Sequence, residues 1–232
     1  MNKKKSFSYD NRVVTKPWGN EYIVYRNSKK LSVTLLNINY NKETSLHCHP
    51  TKKTGFIVLS GKALIQLGLW KATAKYFNSP SKLMIRTGLF HSIKSASKKG
   101  LCALEFETPV NKKDLVRFKD SYGREKKPYE GKEFTKKTSN RDVIFKKTKK
   151  KIIQKYIFDN KVELSMETHK NFRLLNKEKM QTIFAILDGQ VVDKNNRSVL
   201  SYGDIIKTGT LKKLSEAFKI KKNLTLLKVK NI

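Results

Sequence analysis

Apolar positions recur at every second residue in short runs along the first half of the chain, and polar turns separate the runs. Leu31 to Asn39, LSVTLLNIN, alternates and is rich in β-branched residues, so it reads as a strand with one face buried. Phe56 to Leu59 is a short apolar run closed by Ser60-Gly61, and Ala63 to Leu67 follows as its hairpin partner. Leu83 to Arg86, His91 to Lys94 and Leu101 to Phe106 continue the series. Turns are expected at Asn41 to Thr44, Tyr76 to Pro80 and Thr87-Gly88. Pro17 and Gly19 bracket Trp18, which marks a turn leading into a strand within Asn11 to Arg26. Asp114 to Arg124 is expected to make a helical turn, and no strong helical periodicity appears elsewhere in this half. Many short strands at regular spacing predict a sandwich or barrel.

Residues 126–149 are polar, with Pro128 and Gly131, and read as a linker. The lysine run from Lys146 to Lys151 reads as a solvated face. Strands then return as an internal repeat. Thr54-Gly-Phe-Ile-Val-Leu-Ser-Gly61 aligns with Thr182-Ile-Phe-Ala-Ile-Leu-Asp-Gly189, keeping Thr, Phe, Leu and Gly in register. Arg86-Thr-Gly-Leu-Phe-His91 aligns with Lys207-Thr-Gly-Thr-Leu-Lys212, and LCALEFETP aligns with LTLLKVKNI. The chain therefore divides into a basic arm (1–10), a first β domain (11–125), the linker (126–149) and a second β domain (150–232). The copy keeps the strands but not the imidazoles. His91 aligns with Lys212, and His169 lies too far before Thr182 to match His47 or His49.

With 38% hydrophobic residues the chain can bury a real core. No apolar run reaches the length of a membrane span, and the N-terminal residues carry charge without an apolar signal region. Cys48 and Cys102 fit neither a disulfide framework nor a CxxC site, so a reduced, cytoplasmic protein is expected. The formal net charge of +32 comes from 51 basic and 19 acidic residues. Only eight of the basic residues are arginine, and the charge is spread evenly rather than interleaved with aromatics on one segment. That distribution favours attraction of an anionic small molecule over specific nucleic-acid binding.

Three of the four histidines carry the candidate chemistry. His47 and His49, two apart in SLHCHPTKKTGFIVLSG, share one face of a strand, and His91 can join them from a neighbouring strand. Neutral imidazoles bind a divalent metal such as Zn, Fe, Mn or Ni, and three of them leave positions open for water or substrate. The competing reading is three histidines satisfied inside a core.

These stretches resemble the cupin superfamily, whose first motif is G(x)5HxH(x)3–4E(x)6G and whose second is G(x)5PxG(x)2H(x)3N. His47, His49 and Gly61 match the first, with Thr54 in place of the glutamate and Asn41 in place of the leading glycine. Gly88 and His91 match the second, with Arg86, Pro80 and Ser95 at its proline, first glycine and asparagine. Over roughly residues 14–125 the chain is similar to the cupin domain of bacterial mannose-6-phosphate isomerases, which is often fused to mannose-1-phosphate guanylyltransferase. The likeness rests on Lys16-Pro17-Trp18-Gly19-x-Glu21 and on Asp114-Leu-Val-Arg117-x-x-Asp120-x-Tyr122-Gly123-Arg124. His47 stands at that group's glutamine, His49 at its histidine, Lys52 at its arginine and Thr54 at its acidic ligand.

The resemblance implies an all-β fold of two tandem cupin (double-stranded β-helix, jelly-roll) barrels, the second degenerate and without a three-histidine site. It implies a metal-binding protein acting on, or binding, a phosphorylated or nucleotide-linked sugar in surface-polysaccharide synthesis, most concretely a phosphosugar isomerase. A non-catalytic cupin binding a sugar or a partner enzyme, and a three-His iron dioxygenase, are the alternatives. Pairing through sheet edges into a homodimer also follows from the resemblance. Isomerisation needs a base, and Glu105 and Glu107, on one face of their strand, are the acids available, unless they face solvent or pair with lysine. The resemblance places an acid at Glu105. Lys52, Arg86, Arg117 and Arg124 are candidate phosphate partners, each with plain surface charge as the competing role. Trp18 can stack on a sugar face or serve as a packing plug.

Overall fold

Alternating runs in both halves fold into strands, as a computed structural model shows for residues 8–126, 130–146 and 154–232. The first half contributes β1 (Arg12–Lys16), β2 (Gly19–Asn27), β3 (Leu31–Ile38), β4 (Leu46–Cys48), β5 (Lys53–Ser60) and β6 (Lys62–Leu67). It continues with β7 (Lys75–Asn78), β8 (Ser81–Ile85), β9 (His91–Ser95), β10 (Leu101–Thr108), β11 (Val116–Lys119) and β12 (Thr135–Lys137). The second half contributes β13 (Gln154–Phe158), β14 (Val162–His169), β15 (Ile183–Asp188), β16 (Val191–Val192), β17 (Ser198–Leu200) and β18 (Ile205–Lys207). Helix α1 (Thr208–Ala217), β19 (Lys219–Ile220) and β20 (Leu224–Asn231) complete it.

Each half is a pair of antiparallel sheets. In the first, the order β12-β1-β2-β3-β10-β5-β8 faces β11-β4-β9-β6-β7; in the second, β13-β14-β20-β15-β18 faces β17-β16-β19. The ladder rows explain why the central strands are apolar on both faces. Leu36, Ala103 and Val58 are paired across β3, β10 and β5 and point into the first barrel. The next row, Leu35, Leu104 and Ile57, points out and packs in one core with Leu164, Ile183, Ala185, Leu227 and Val229 of the second barrel. The large sheets of the two barrels thus stack face to face, and a strand buried on both faces reads as a near-continuous apolar run. Gly61 and Gly189 do the same work in both copies. Each has φ near +80 to +89, and a Cβ would sit 2.5 Å from Gly100 O or 2.0 Å from Asn223 O.

Four segments differ from the reading of the sequence. Lys75 to Asn78, within the turn expected at 76–80, is the edge strand β7, and the chain turns just after it at Ser79-Pro80. Val116 to Lys119 is a strand rather than a helical turn, because Val116 and Arg117 pair with Cys48 and His47. Within 126–149, β12 pairs with β1, and Val143 and Phe145 are buried in the core between the barrels. The stretch aligned with the turn before His91 begins helix α1. Of the basic arm and the lysine run, residues 1–7 and 147–151 lie outside the described residues.

Candidate metal centre and cavity

Strand β4 carries His47, His49 follows directly after its end, and His47 is paired directly with His91 at the start of β9. The three rings converge, with centroids 4.6 to 5.5 Å apart. Each ring has Nδ1 at a backbone carbonyl: Ser45 O at 2.8 Å for His47, Asp114 O at 2.6 Å for His49 and Leu89 O at 3.0 Å for His91. A carbonyl can only accept, so each Nδ1 carries the hydrogen and each Nε2 presents a lone pair. The Nε2 atoms of His49 and His91 are buried without a hydrogen-bond partner. Such orphans are costly in an apolar interior and fit a ligand that takes up the lone pair.

Glu105, on β10, completes the group: its carboxylate and one nitrogen from each histidine lie within 4.8 Å of one another. Burial sets the protonation of all four. It holds the His47 imidazole well below its ordinary value, helped by the neighbouring rings of His91 and His49. Burial also lowers His49, with Lys52 adding to the effect, and takes His91 down to about 4. Burial, the Glu107 carboxylate and Glu21 push Glu105 up to about 8. The histidines are therefore neutral ligands at ordinary pH, and the group as a whole fits a divalent cation. Thr54, at the motif's acidic position, has a buried hydroxyl without a partner and sits across the ladder from Glu107. The carboxylate nearest the histidines thus comes from β10 instead of β5.

The cavity around this group is charged. It is lined by Lys16, Trp18, Glu21, Lys52, Glu107, Lys112, Arg117 and Arg124 beside the metal candidates. Glu107 pairs with Lys52 and with Lys112 at 3.3 Å. Burial would raise the Glu107 pKa, but the two ammonium groups outweigh it and hold the carboxylate ionised. Burial likewise works against the Lys112 charge, and Glu107 and Glu21 outweigh it. A second network joins Lys16 to Glu21 at 3.4 Å and to Glu130. Arg124 bonds Asp120 through Nε and Nη2 at 3.1 and 2.7 Å and Glu130 through Nη1 at 2.8 Å.

Among the residues expected at the site, His47, His49, Glu105, Glu107, Lys52, Arg117, Arg124 and Trp18 line one cavity, and His91 joins His47, His49 and Glu105 from behind its wall. Arg86 is not; it is exposed at the turn after β8 and absent from the lining. Trp18 is 3% exposed and packs with Leu36, Ile38 and Phe56, so it is at once a plug and part of the wall. Sequence reasoning missed Lys16, Glu21 and Lys112. The first two stand inside the KPWGNE stretch already singled out, and their alternation toward the barrel interior was the available signal. Lys112 follows β10 in a loop whose sequence carries no such signal.

The sequence model of the family "Mannose-6-phosphate isomerase C-terminal" matches residues 2–120. The chain belongs to this cupin-type family. Its first barrel is therefore a sugar-phosphate-isomerase-like cupin domain. The curated proteins contain no match. Among solved structures, the chain is similar to the capsular polysaccharide assembling protein CapF from Staphylococcus aureus at 16% identity and a TM-score of 0.43, over 51% of this chain and 35% of that one. It is similar to a conserved protein with a double-stranded β-helix domain from Klebsiella pneumoniae at 16% identity and a TM-score of 0.40, over 52% and 98%. It is also similar to KdgF from Halomonas at 12% identity and a TM-score of 0.37, over 41% and 84%. The match thus spans about a third of CapF. No helix among the described residues is long and apolar enough to cross a membrane.

Proposed function

We propose that the first barrel holds a divalent metal through His47, His49, His91 and Glu105 and acts on, or binds, a phosphorylated or nucleotide-linked sugar in surface-polysaccharide synthesis. The observation that carries this reading is the set of buried Nε2 atoms, oriented by carbonyl-held Nδ1 hydrogens, converging with one carboxylate. When bound, the metal supplies Lewis acidity toward a carbonyl or hydroxyl oxygen of the ligand. The chain's own residues do the rest. Lys52 and Lys112 keep Glu107 ionised beside the centre, and Arg117 and Arg124 add cationic donors to the cavity wall.

The most concrete enzyme version is a phosphosugar isomerase, with Glu107 as the carboxylate that moves a proton between adjacent carbons. A second reading has support of its own. Glu105 stands with the histidines and Glu107 is held by two lysines, which lowers its strength as a base. A barrel so arranged can bind the sugar phosphate without converting it. Metal analysis of protein purified without chelator, repeated on His47→Ala and His91→Ala, tests the shared part. Metal is expected in the parent and lost in both variants; metal retained in both removes the site. Turnover of mannose 6-phosphate by metal-loaded parent protein then separates isomerase from binder.

A further inference from the structure

Glu130 lies outside the cavity-lining set, yet its carboxylate reaches two of the lining cations. One oxygen meets Lys16 and the other accepts from Arg124 Nη1 at 2.8 Å. The side chains of Lys16, Glu130 and Arg124 are only 4%, 11% and 10% exposed. Tyr9 Oη donates to the Glu130 carbonyl at 2.6 Å, and the 3-10 turn Lys132–Phe134 and strand β12 follow directly. The geometry of one carboxylate gripped by an ammonium and a guanidinium is the geometry with which those groups hold a phosphate. Asp120 takes the remaining face of Arg124 and fixes its fork.

We propose that Glu130 is an intramolecular competitor for the ligand's phosphate: it occupies the Lys16–Arg124 pair until an entering phosphate displaces it. This rests on the reading of the cavity as a sugar-phosphate site and adds a regulatory contact to it. While Glu130 is disengaged, Glu21 stays on Lys16 and Asp120 stays on Arg124, so neither cation is left buried and uncompensated. Because only molecules with Glu130 disengaged accept the phosphate, apparent affinity is reduced by the fraction that is disengaged. Displacement also loosens the hold on the segment from Glu130 into β12, which couples occupancy of the cavity to the attachment of that segment.

The test is calorimetric titration of metal-loaded full-length protein with inorganic phosphate, using the parent and Glu130→Gln. The amide keeps the shape and removes the competing charge. Affinity is expected to rise about tenfold in the variant, corresponding to a contact closed about nine-tenths of the time. Equal affinity in the two proteins overturns the competitor role and leaves the sugar-phosphate reading standing. Absence of phosphate binding to either protein overturns both. Hydrogen exchange of the parent gives a readout that needs no variant. Amides of residues 130–137 are expected to exchange faster when phosphate is added, and unchanged exchange in the presence of bound phosphate counts against displacement.

Discussion

The two barrels share one ladder pattern and differ in what fills it. In the first, Thr34, Glu105 and Phe56 form a row across β3, β10 and β5; in the second, Ser165, Lys228 and Phe184 form the matching row across β14, β20 and β15. The acid beside the histidines is thus replaced by a lysine, which pairs with Glu167 at 2.6 Å and Glu178 at 2.8 Å. Between β3 and β5 the first barrel carries His47 and His49. Between β14 and β15 the second carries Phe172 and Leu175, both buried. Where the first runs into β9 with His91, the second forms α1, whose Leu211 is fully buried against Phe184 and Leu226 in the same cluster. One interior is polar and open, while the other is plugged with side chains from a turn and a helix. A scaffold can therefore lose its chemistry at a few interior positions and keep its strands, because the ladder rows that face the other barrel are untouched.

The comparison breaks most visibly at Phe184. If the second barrel is a filled scaffold, Phe184→Ala leaves a cavity and costs about 3–5 kcal/mol. The shared core predicts that this loss appears in one transition of the whole chain, followed by urea unfolding. Separate transitions for the two halves would show the barrels to be uncoupled. Metal bound per folded molecule is expected to stay unchanged.

The reciprocal experiment removes an imidazole. His91→Ala is expected to weaken metal binding at least about 100-fold, whereas His169→Ala, in the second barrel and paired with Glu167 at 3.1 Å, leaves it unchanged. Equal losses would place the metal somewhere other than the first barrel.

A smaller effect sharpens the role of Glu105. Its carboxyl is pushed up to about 8, so at pH 7 it is mostly protonated before the metal binds. The imidazoles do not compete, since His91 titrates at about 4 and His47 and His49 are lowered too. Metal binding must then release close to one proton at pH 7, and affinity falls up to about tenfold per pH unit below 8. Calorimetry in buffers of different ionisation heat measures that proton. Finding none at pH 7 would mean that Glu105 either is ionised before binding or does not join the metal, and metal affinity of Glu105→Gln separates the two.

How far the sequence reveals this molecule depends on which interactions are local. The central strands and the repeat were legible, since alternation at 31–39 and the shared Thr-x-Phe-x-x-Leu-x-Gly pattern follow from ladder geometry within one segment. The common face of His47 and His49 was legible because their two-residue spacing fixes it, while His91 joins them only through the long-range pairing with His47. Arg117 was legible by residue type and by the family-like stretch it stands in, but not by its secondary structure. Its strand forms by pairing with β4, a partner 70 residues away in sequence, and its own segment reads equally well as a helical turn. The helix at 208–217 was hidden by the same logic in reverse: its repeat alignment points to a turn and strand, and Leu211 plugging the second barrel decides otherwise. Glu130 and Lys112 carry no local signal at all, because what defines them is the charge of residues far along the chain.

The smallest effect concerns the acid in the second barrel's charged cluster. Burial would raise Glu167, but the His169 and Lys228 hydrogen bonds outweigh it and hold its pKa at about 2. The folded value lies below that of an unfolded glutamate, near 4.3, so the folded state binds the proton more weakly. The resulting stability is present above about pH 4.3 and is lost as the pH falls toward 2. Because the group is partly solvated, screening reduces the contribution to about 1 kcal/mol. Urea midpoints of the parent and Glu167→Gln are therefore expected to differ at pH 6 and to draw together below pH 3. A gap that persists unchanged to pH 2.5 would mean that Glu167 acts through packing alone, and that the lysine opposite Glu105 in the fold needs no ionised partner.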